Sequence, residues 1–280
     1  MWQTILQAPL LVKICLVMVL FIIVGAIFAD ILIPYDPNDT ILTNRNLPPV
    51  FAGGTFEHIL GTDELGRDIL SRILYGTRIS LGMALLGLVF GSLIGVTLGL
   101  TAGYFGGRWD QFVMMLINFQ QSIPFTLVIL LGVVVFGRSI LVLMLFIGFA
   151  MWETYARFVR SLVLSIKENQ YIEAAKSYNA SSRRIIFRHI LPGVISTIIV
   201  LITLNFPSVL MLESSLSFIG IGVQPPTATL GQMVGTGRNY LATNFWISVL
   251  PAIVIVLLSF SVQHIGTWLR DKLDVKMADH

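Results

Sequence analysis

Apolar stretches long enough to cross a lipid bilayer recur along this 280-residue chain. A span needs roughly 20 residues, and in lipid a single stretch satisfies its backbone groups only as a helix. The pattern therefore specifies an all-α membrane protein. Composition agrees, with 55% hydrophobic and 12% charged residues, where soluble domains carry about a quarter charged residues. Six spans are expected, at 10–29, 79–104, 111–136, 140–158, from 192 onward and 246–266. Lys13 interrupts the first and reaches the interface along its own stem; this helix is read as retained, with its N-terminus in the cytoplasm. The net charge of +3 is small and the basic residues sit in loops, which fits membrane orientation rather than nucleic-acid binding. Cys15 is the one cysteine, so an intrachain disulfide or a cysteine-based metal site is excluded.

The polar interruptions carry the rest of the information. Residues 30–77 form the longest polar excursion, and prolines and glycines forbid a continuous helix before Gly66. Ile69, Leu70, Ile73 and Leu74 then recur at helical spacing, predicting a short amphipathic helix along the outer face. Asp63, Glu64 and Asp68 are weighed as a cation site against three solvated carboxylates. In the second span Gly87, Gly91, Gly95, Gly99 and Gly103 repeat every four residues, with Gly107 continuing the series. This predicts a helix face without side chains, on which another helix packs closely. Asn118, Gln120, Gln121 and Pro124 interrupt the third span; Asn118, Gln121 and Pro124 are candidates for a translocation path or an interhelical hydrogen-bond cluster. Glu153 and Arg157, one turn apart, are read as an ion pair or a gate. The fifth span is expected to break at Asn205-Phe206-Pro207, so that Asn205, Pro207, Glu213 and Ser214 join the path candidates. Glu213 stands as gate or helix cap. A re-entrant or outer-face loop with Gly231, Gly235, Gly237 and Arg238 follows.

The segment 167–192 stands apart as polar and basic between apolar runs. Helix-compatible residues run from Ile172 to Tyr178, then Asn179, then a second helical pattern opens at Ser181 or Ser182 and closes at Leu191-Pro192. This predicts helix, turn, helix. Asparagine readily takes positive φ, and a following serine caps the second helix.

On these residues the chain resembles the membrane-spanning permease subunits of bacterial ABC importers. Glu173-Ala174-Ala175, Leu191 and Pro192 match that family's cytoplasmic loop; Asn179 stands where its glycine is usual and His189 where its isoleucine is. The His-Ile-Leu-Pro ending is similar to the dipeptide, oligopeptide and nickel branch, as are the segments 60–78 and 213–226, and the chain is identified with the second, C-type permease of the pair. The resemblance implies a type I ABC importer permease fold, with residues 1–78 as a first helix plus outer loop and 79–280 as a five-helix core. It implies that Glu173, Ala174, Ala175, Lys176, Asn179, Arg183, Arg184, Leu191 and Pro192 couple to a separate ATPase. Partners follow: a homologous permease as heterodimer, two ATPase subunits holding ATP and magnesium, an extracytoplasmic solute-binding protein and the bilayer. The cargo implied is di- or oligopeptides, with nickel or a metal chelate as the alternative.

Orientation and energy source are separately testable. With the N-terminus inside, Lys13, Arg108, Arg157, Arg160, Lys167, Lys176, Arg183, Arg184, Arg188, Arg270, Lys272 and Lys276 are cytoplasmic, 12 of the 18 basic residues. That bias follows the positive-inside rule and puts both termini in the cytoplasm of a multi-pass inner-membrane protein. No lysine follows a glycine, so the chain has no phosphate-binding loop of its own. No catalytic or metal residue is assigned. A self-sufficient channel or secondary transporter is the rival reading.

Overall fold

The computed structural model describes residues 8–278, with side chains through 273. It is built from helices, which we number α1 (Leu10–Ile27), α2 (Ala29–Leu32), α3 (Ile69–Phe105), α4 (Gly107–Gln121), α5 (Phe125–Phe136) and α6 (Ile140–Lys167), followed by α7 (Gln170–Ser177), α8 (Ser182–Phe218), α9 (Leu230–Gly237) and α10 (Trp246–Ala278). Among the described residues, α1, α3, α6, α8 and α10 are long and apolar enough to cross a membrane; α4 and α5 make a sixth crossing if they count as one bent span.

Three expectations are corrected. The amphipathic turn after Gly66 is not a separate element but the first turns of α3, a single helix of 37 residues. Gly76 alone is a weak breaker, worth about 1 kcal/mol against alanine, and it is used for close approach: a Cβ there would lie 3.3 Å from the Thr229 carbonyl carbon. The fifth span is not broken at Asn205-Phe206-Pro207, because α8 runs through Pro207 to Phe218 and takes in Glu213 and Ser214. One proline forfeits one backbone hydrogen bond, and membrane helices tolerate that. Gly107 is not part of the glycine series; it opens α4 at φ +58° with no atom within 4 Å of the site a Cβ would fill.

The chain divides into two compact units. The first comprises Met1–Leu85, Phe136–Leu143 and Phe206–Ile265. Its loop from residue 33 to 68 is held by a buried ionic knot rather than by solvated carboxylates. Arg67 Nε donates to Asp63 Oδ2 at 2.7 Å, and Arg72 lies 3.5 Å from the same carboxylate. Asp63 Oδ1 also accepts from the backbone N–H groups of Leu65 and Arg67. Asp68 caps α3, accepting from the Ser71 N–H and hydroxyl at 2.8 Å, and pairs with His58 at 2.9 Å. The Arg72 guanidinium, buried to 1% exposure, donates to the Pro37 carbonyl and to Gln232. Asp63, Glu64 and Asp68 are thus committed to arginines and a histidine, and no metal-holding cluster occurs among the described residues.

The second unit comprises Leu86–Val135, Met144–Asn205 and Gly266–His280. Here the glycine series does what its period predicts. A Cβ at Gly87 would meet Ile147, one at Gly91 the carbonyl of Gly148, one at Gly95 that of Trp152, one at Gly99 that of Ala156, and one at Gly103 Val163. Two helices, α3 and α6, therefore pack backbone to backbone along this seam. Gly148 on α6 returns the contact to Phe90 and the Gly87 carbonyl. The bent pair α4 and α5 turns through 84° at Ser122–Pro124.

Candidate coupling hairpin and polar sites

The hairpin of α7 and the start of α8 is rooted by three isoleucines. Ile172, Ile185 and Ile190 are each 0–1% exposed, in one apolar cluster with Leu100, Val159, Val163, Val194 and Ile198. Ala175, Ala180 and Leu191 pack against it from the side. Between the helices the chain reverses by a C-terminal capping motif. The Ala180 N–H donates to the Ala175 carbonyl at 3.1 Å and the Asn179 N–H to that of Lys176 at 2.9 Å, with Asn179 at φ +58°. This is the paired six-to-one and five-to-two bonding that a left-handed residue makes possible. Ser181 then caps α8, its hydroxyl accepting from the Arg184 N–H at 3.4 Å. The demand at residue 179 is conformational, so Asn179→Gly is expected to keep the turn. Asn179→Val, with a branched Cβ at positive φ, is expected to destabilise it by about 2 kcal/mol. Hydrogen exchange of the 179 and 180 amides checks this, and equal protection in the valine variant would refute it.

With the apolar side rooted, the opposite side is free. Glu173, Ala174, Lys176, Arg183, Arg184 and Arg188 are exposed, together with Pro192 and the aromatic rings of Tyr171, Tyr178 and Phe187. Residues Ile186–Ile190 form one wide π turn within α8, with the Leu191 N–H bonded to the Ile186 carbonyl. The turn lies directly before Pro192, whose ring would crowd the Arg188 carbonyl in a regular helix.

The remaining sequence candidates separate into two groups. In the second unit, Gln120 and Gln121 at the end of α4 reach α6: Trp152 Nε1 donates to Gln120 Oε1 at 2.6 Å, and Gln121 Nε2 donates to Glu153 Oε2 at 2.7 Å. Arg157 Nη2 donates to Gln121 Oε1. Glu153 and Arg157 therefore do not pair directly; Gln121 bridges them. The Asn118 carbonyl accepts from the Ser122 N–H and hydroxyl, and Pro124 stands exposed at the bend. Asn205 spends its amide on the Leu201 carbonyl at 2.9 Å, and Pro207 is half-buried within α8.

In the first unit Glu213 is 1% exposed and fully engaged. Its oxygens accept from Ser217 at 2.9 Å, Ser80 at 3.3 Å and Ser214 at 3.5 Å. The Ser80 hydroxyl accepts in turn from the Leu230 N–H at 3.1 Å. The carboxylate ties α8, α3 and α9 together. Ser217 is visible in the sequence as a partner one turn on, whereas Ser80 is 133 residues away and carries no local signal.

Comparison with known proteins places this geometry. Residues 95–275 match the family described as binding-protein-dependent transport system inner membrane component, and residues 4–49 match the N-terminal TM domain of oligopeptide transport permease C. The chain is 37% identical to the dipeptide transport system permease protein DppC of Bacillus subtilis over 94% of its own length and 81% of the relative's. It is 36% identical to the glutathione transport system permease protein GsiD of Pectobacterium atrosepticum, over 92% and 85%. Against the oligopeptide transport system permease protein OppC of Bacillus subtilis it is 34% identical, over 94% and 84%. A chain of the MetNI methionine ABC transporter in inward facing conformations shares the fold at TM-score 0.54 and 21% identity, covering 70% of this chain and 95% of that one. The architecture is that of a type I ABC importer permease. The chain belongs to the family of inner membrane components of binding-protein-dependent transport systems. It is a multi-pass permease subunit of the inner membrane, working with an ATPase and a binding protein rather than as an enzyme itself.

Proposed function

We propose that this subunit forms half of the translocation path for di- or oligopeptides and takes its drive from the hairpin 167–192. The peptide cargo is supported by relatives named for dipeptide, oligopeptide and glutathione transport. A homologous permease completes the path as heterodimer, and two ATPase subunits holding ATP and magnesium supply the force. Both termini and the hairpin lie in the cytoplasm. Residues 1–78 supply the first span and the outer loop, in keeping with a separate family match at 4–49, and residues 79–280 the rest of the permease, although α3 crosses that boundary and the first 85 residues pack in one unit with 206–265.

The observation that carries this reading is the hairpin's division of labour: three buried isoleucines anchor it, and a charged, aromatic face is left uncovered. Glu173 contacts the ATPase, Ala174 permits close approach, and Lys176, Arg183 and Arg184 surround the contact. Leu191 and Pro192 join the hairpin to α8. Closure of the ATPases moves the hairpin as a rigid piece, and the spans exchange between two packings. Asn118, Gln121, Pro124, Asn205, Pro207, Glu213 and Ser214 belong to the path or its support.

Glu173→Lys tests the assignment. It reverses an exposed charge that touches nothing in this chain's core, so the fold is expected to survive. ATP-dependent uptake of a radiolabelled dipeptide into proteoliposomes is expected to fall about tenfold or more, the effect of truncating or reversing a buried interfacial charge. Uptake at the wild-type rate would remove Glu173 from the coupling surface.

A further inference from the structure

Within the second unit, the root of the hairpin rests on two spans and leaves out a third. Its buried cluster draws on Leu100 of α3 and on Val159 and Val163 of α6, with Tyr104 and Ile166 packed against it; among the described residues it takes in none of α4. Lys167, the last residue of α6, strengthens the same pairing. Its ammonium donates to the Tyr104 carbonyl at 2.7 Å and lies 5.9 Å from the centre of that ring. This puts a cation on the free carbonyls at the C-terminus of α3. Together with the glycine seam, it joins the hairpin-side ends of α3 and α6 into one piece.

For a stroke of the hairpin to reach the bend at Ser122–Pro124, α4 has to be carried along. The covalent link is a poor carrier: Gly106 and Gly107 stand at φ +65° and +58°, with no atom within 4 Å of either Cβ position. A corner without side chains or neighbours turns easily. Two side-chain contacts flank it. Trp109 Nε1 donates to Thr101 Oγ1 at 3.2 Å, a neutral bond on the exposed side. Arg160 of α6 forks onto Asp110 in the first turn of α4, Nε donating to Oδ1 and Nη2 to Oδ2, the latter at 2.6 Å. These two side chains are only 24% and 17% exposed. Charge-assisted bonds are about twice as strong as neutral ones, and the fork fixes orientation as well as distance. We propose that Arg160 is a positioning residue for transport, holding the start of α4 through Asp110 so that the stroke of the hairpin reaches the α4–α5 bend. The role rests on the hairpin reading above; the contact itself does not.

The test uses the complete transporter in proteoliposomes with its solute-binding protein, and reads uptake of a radiolabelled dipeptide per ATP hydrolysed. Arg160→Gln is expected to lower that ratio about tenfold or more, the worth of a hydrogen bond to a charged group, while hydrolysis continues at the wild-type rate. Arg160→Lys, which keeps the charge and loses the fork, is expected to fall between. Asp110→Asn is expected to match Arg160→Gln, and the double variant to be no worse than either, since the two side chains act as one contact. Trp109→Phe is expected to stay within about twofold of wild type. Uptake and hydrolysis falling together in Arg160→Gln would reduce the residue to a role in folding and overturn the proposal. So would an unchanged ratio, additive losses in the double variant, or an equal loss in Trp109→Phe. Glu173→Lys is measured alongside. Lost uptake there with a normal ratio in Arg160→Gln removes the role of Arg160 and keeps the hairpin, whereas normal uptake in both removes both.

Discussion

Gly99→Val is expected to destroy the packing of α3 on α6 and with it the stable transporter. A Cβ at residue 99 would stand 2.6 Å from the Ala156 carbonyl oxygen and 2.9 Å from the Val159 Cβ. Neither is the far end of a flexible side chain, so the strain has no local outlet and the helix axes must separate. Overpacking of a well-filled core usually destabilises by about 1–3 kcal/mol, and a backbone obstacle belongs at or above the top of that range. The same helix provides its control. Gly82 has no atom within 4 Å of the place its Cβ would occupy, so Gly82→Ala is expected to be neutral or to gain up to about 1 kcal/mol from helix propensity. Thermal unfolding of the detergent-solubilised complex measures both. Equal midpoints for Gly99→Val and wild type would mean that the seam is not a close contact.

The second large effect is expected from Ile172→Asp. Ile172 is fully buried at the root of the hairpin. Truncating such a residue destabilises by about 2–5 kcal/mol, and a carboxylate in its place adds the desolvation of an unpaired charge. The exposed face of α7 would remain chemically intact while its seat was lost. ATP-driven dipeptide uptake is therefore expected to drop to background, with hydrogen-exchange protection lost across 172–190 and retained in α3 and α6. Ile172→Val, at about 1 kcal/mol, is expected to transport. An aspartate variant that transports normally would show that the hairpin needs no rigid root.

What the sequence discloses and what it conceals follow from the range of the forces involved. Asn179, Ser181 and the Glu-Ala-Ala helix are readable because capping and turn chemistry act over a few residues. The glycine period is readable as a seam, yet nothing local names Ile147 to Val163 as its partner. Prolines mislead in both directions: Pro124 marks a real 84° bend, while Pro207 sits inside an unbroken helix. The difference lies in the neighbours, since Ser122, Ile123 and Pro124 are all exposed and Phe206 and Val209 are packed in the core. Arg67 is a local partner for Asp63 and Glu64, but the run 63–68 still reads as solvated because its other counterions, Arg72 and His58, meet it only through the folded loop. Glu213 is legible as an expensive residue, but its hydroxyl partner on α3 and the strut this makes to α9 are long-range facts.

The angular break between α4 and α5 constrains the surroundings of the subunit. At the end of α4 the Ser122 and Ile123 N–H groups take up the carbonyls of Asn118, Phe119 and Gln120, but the first N–H groups of a helix such as α5 have no partner within it, and irregular main chain is not tolerated in dry hydrocarbon. Residues 122–124 are nonetheless uncovered in the single chain. Acyl chains cannot be what touches this corner in the cell: either another polypeptide is seated there or water reaches it.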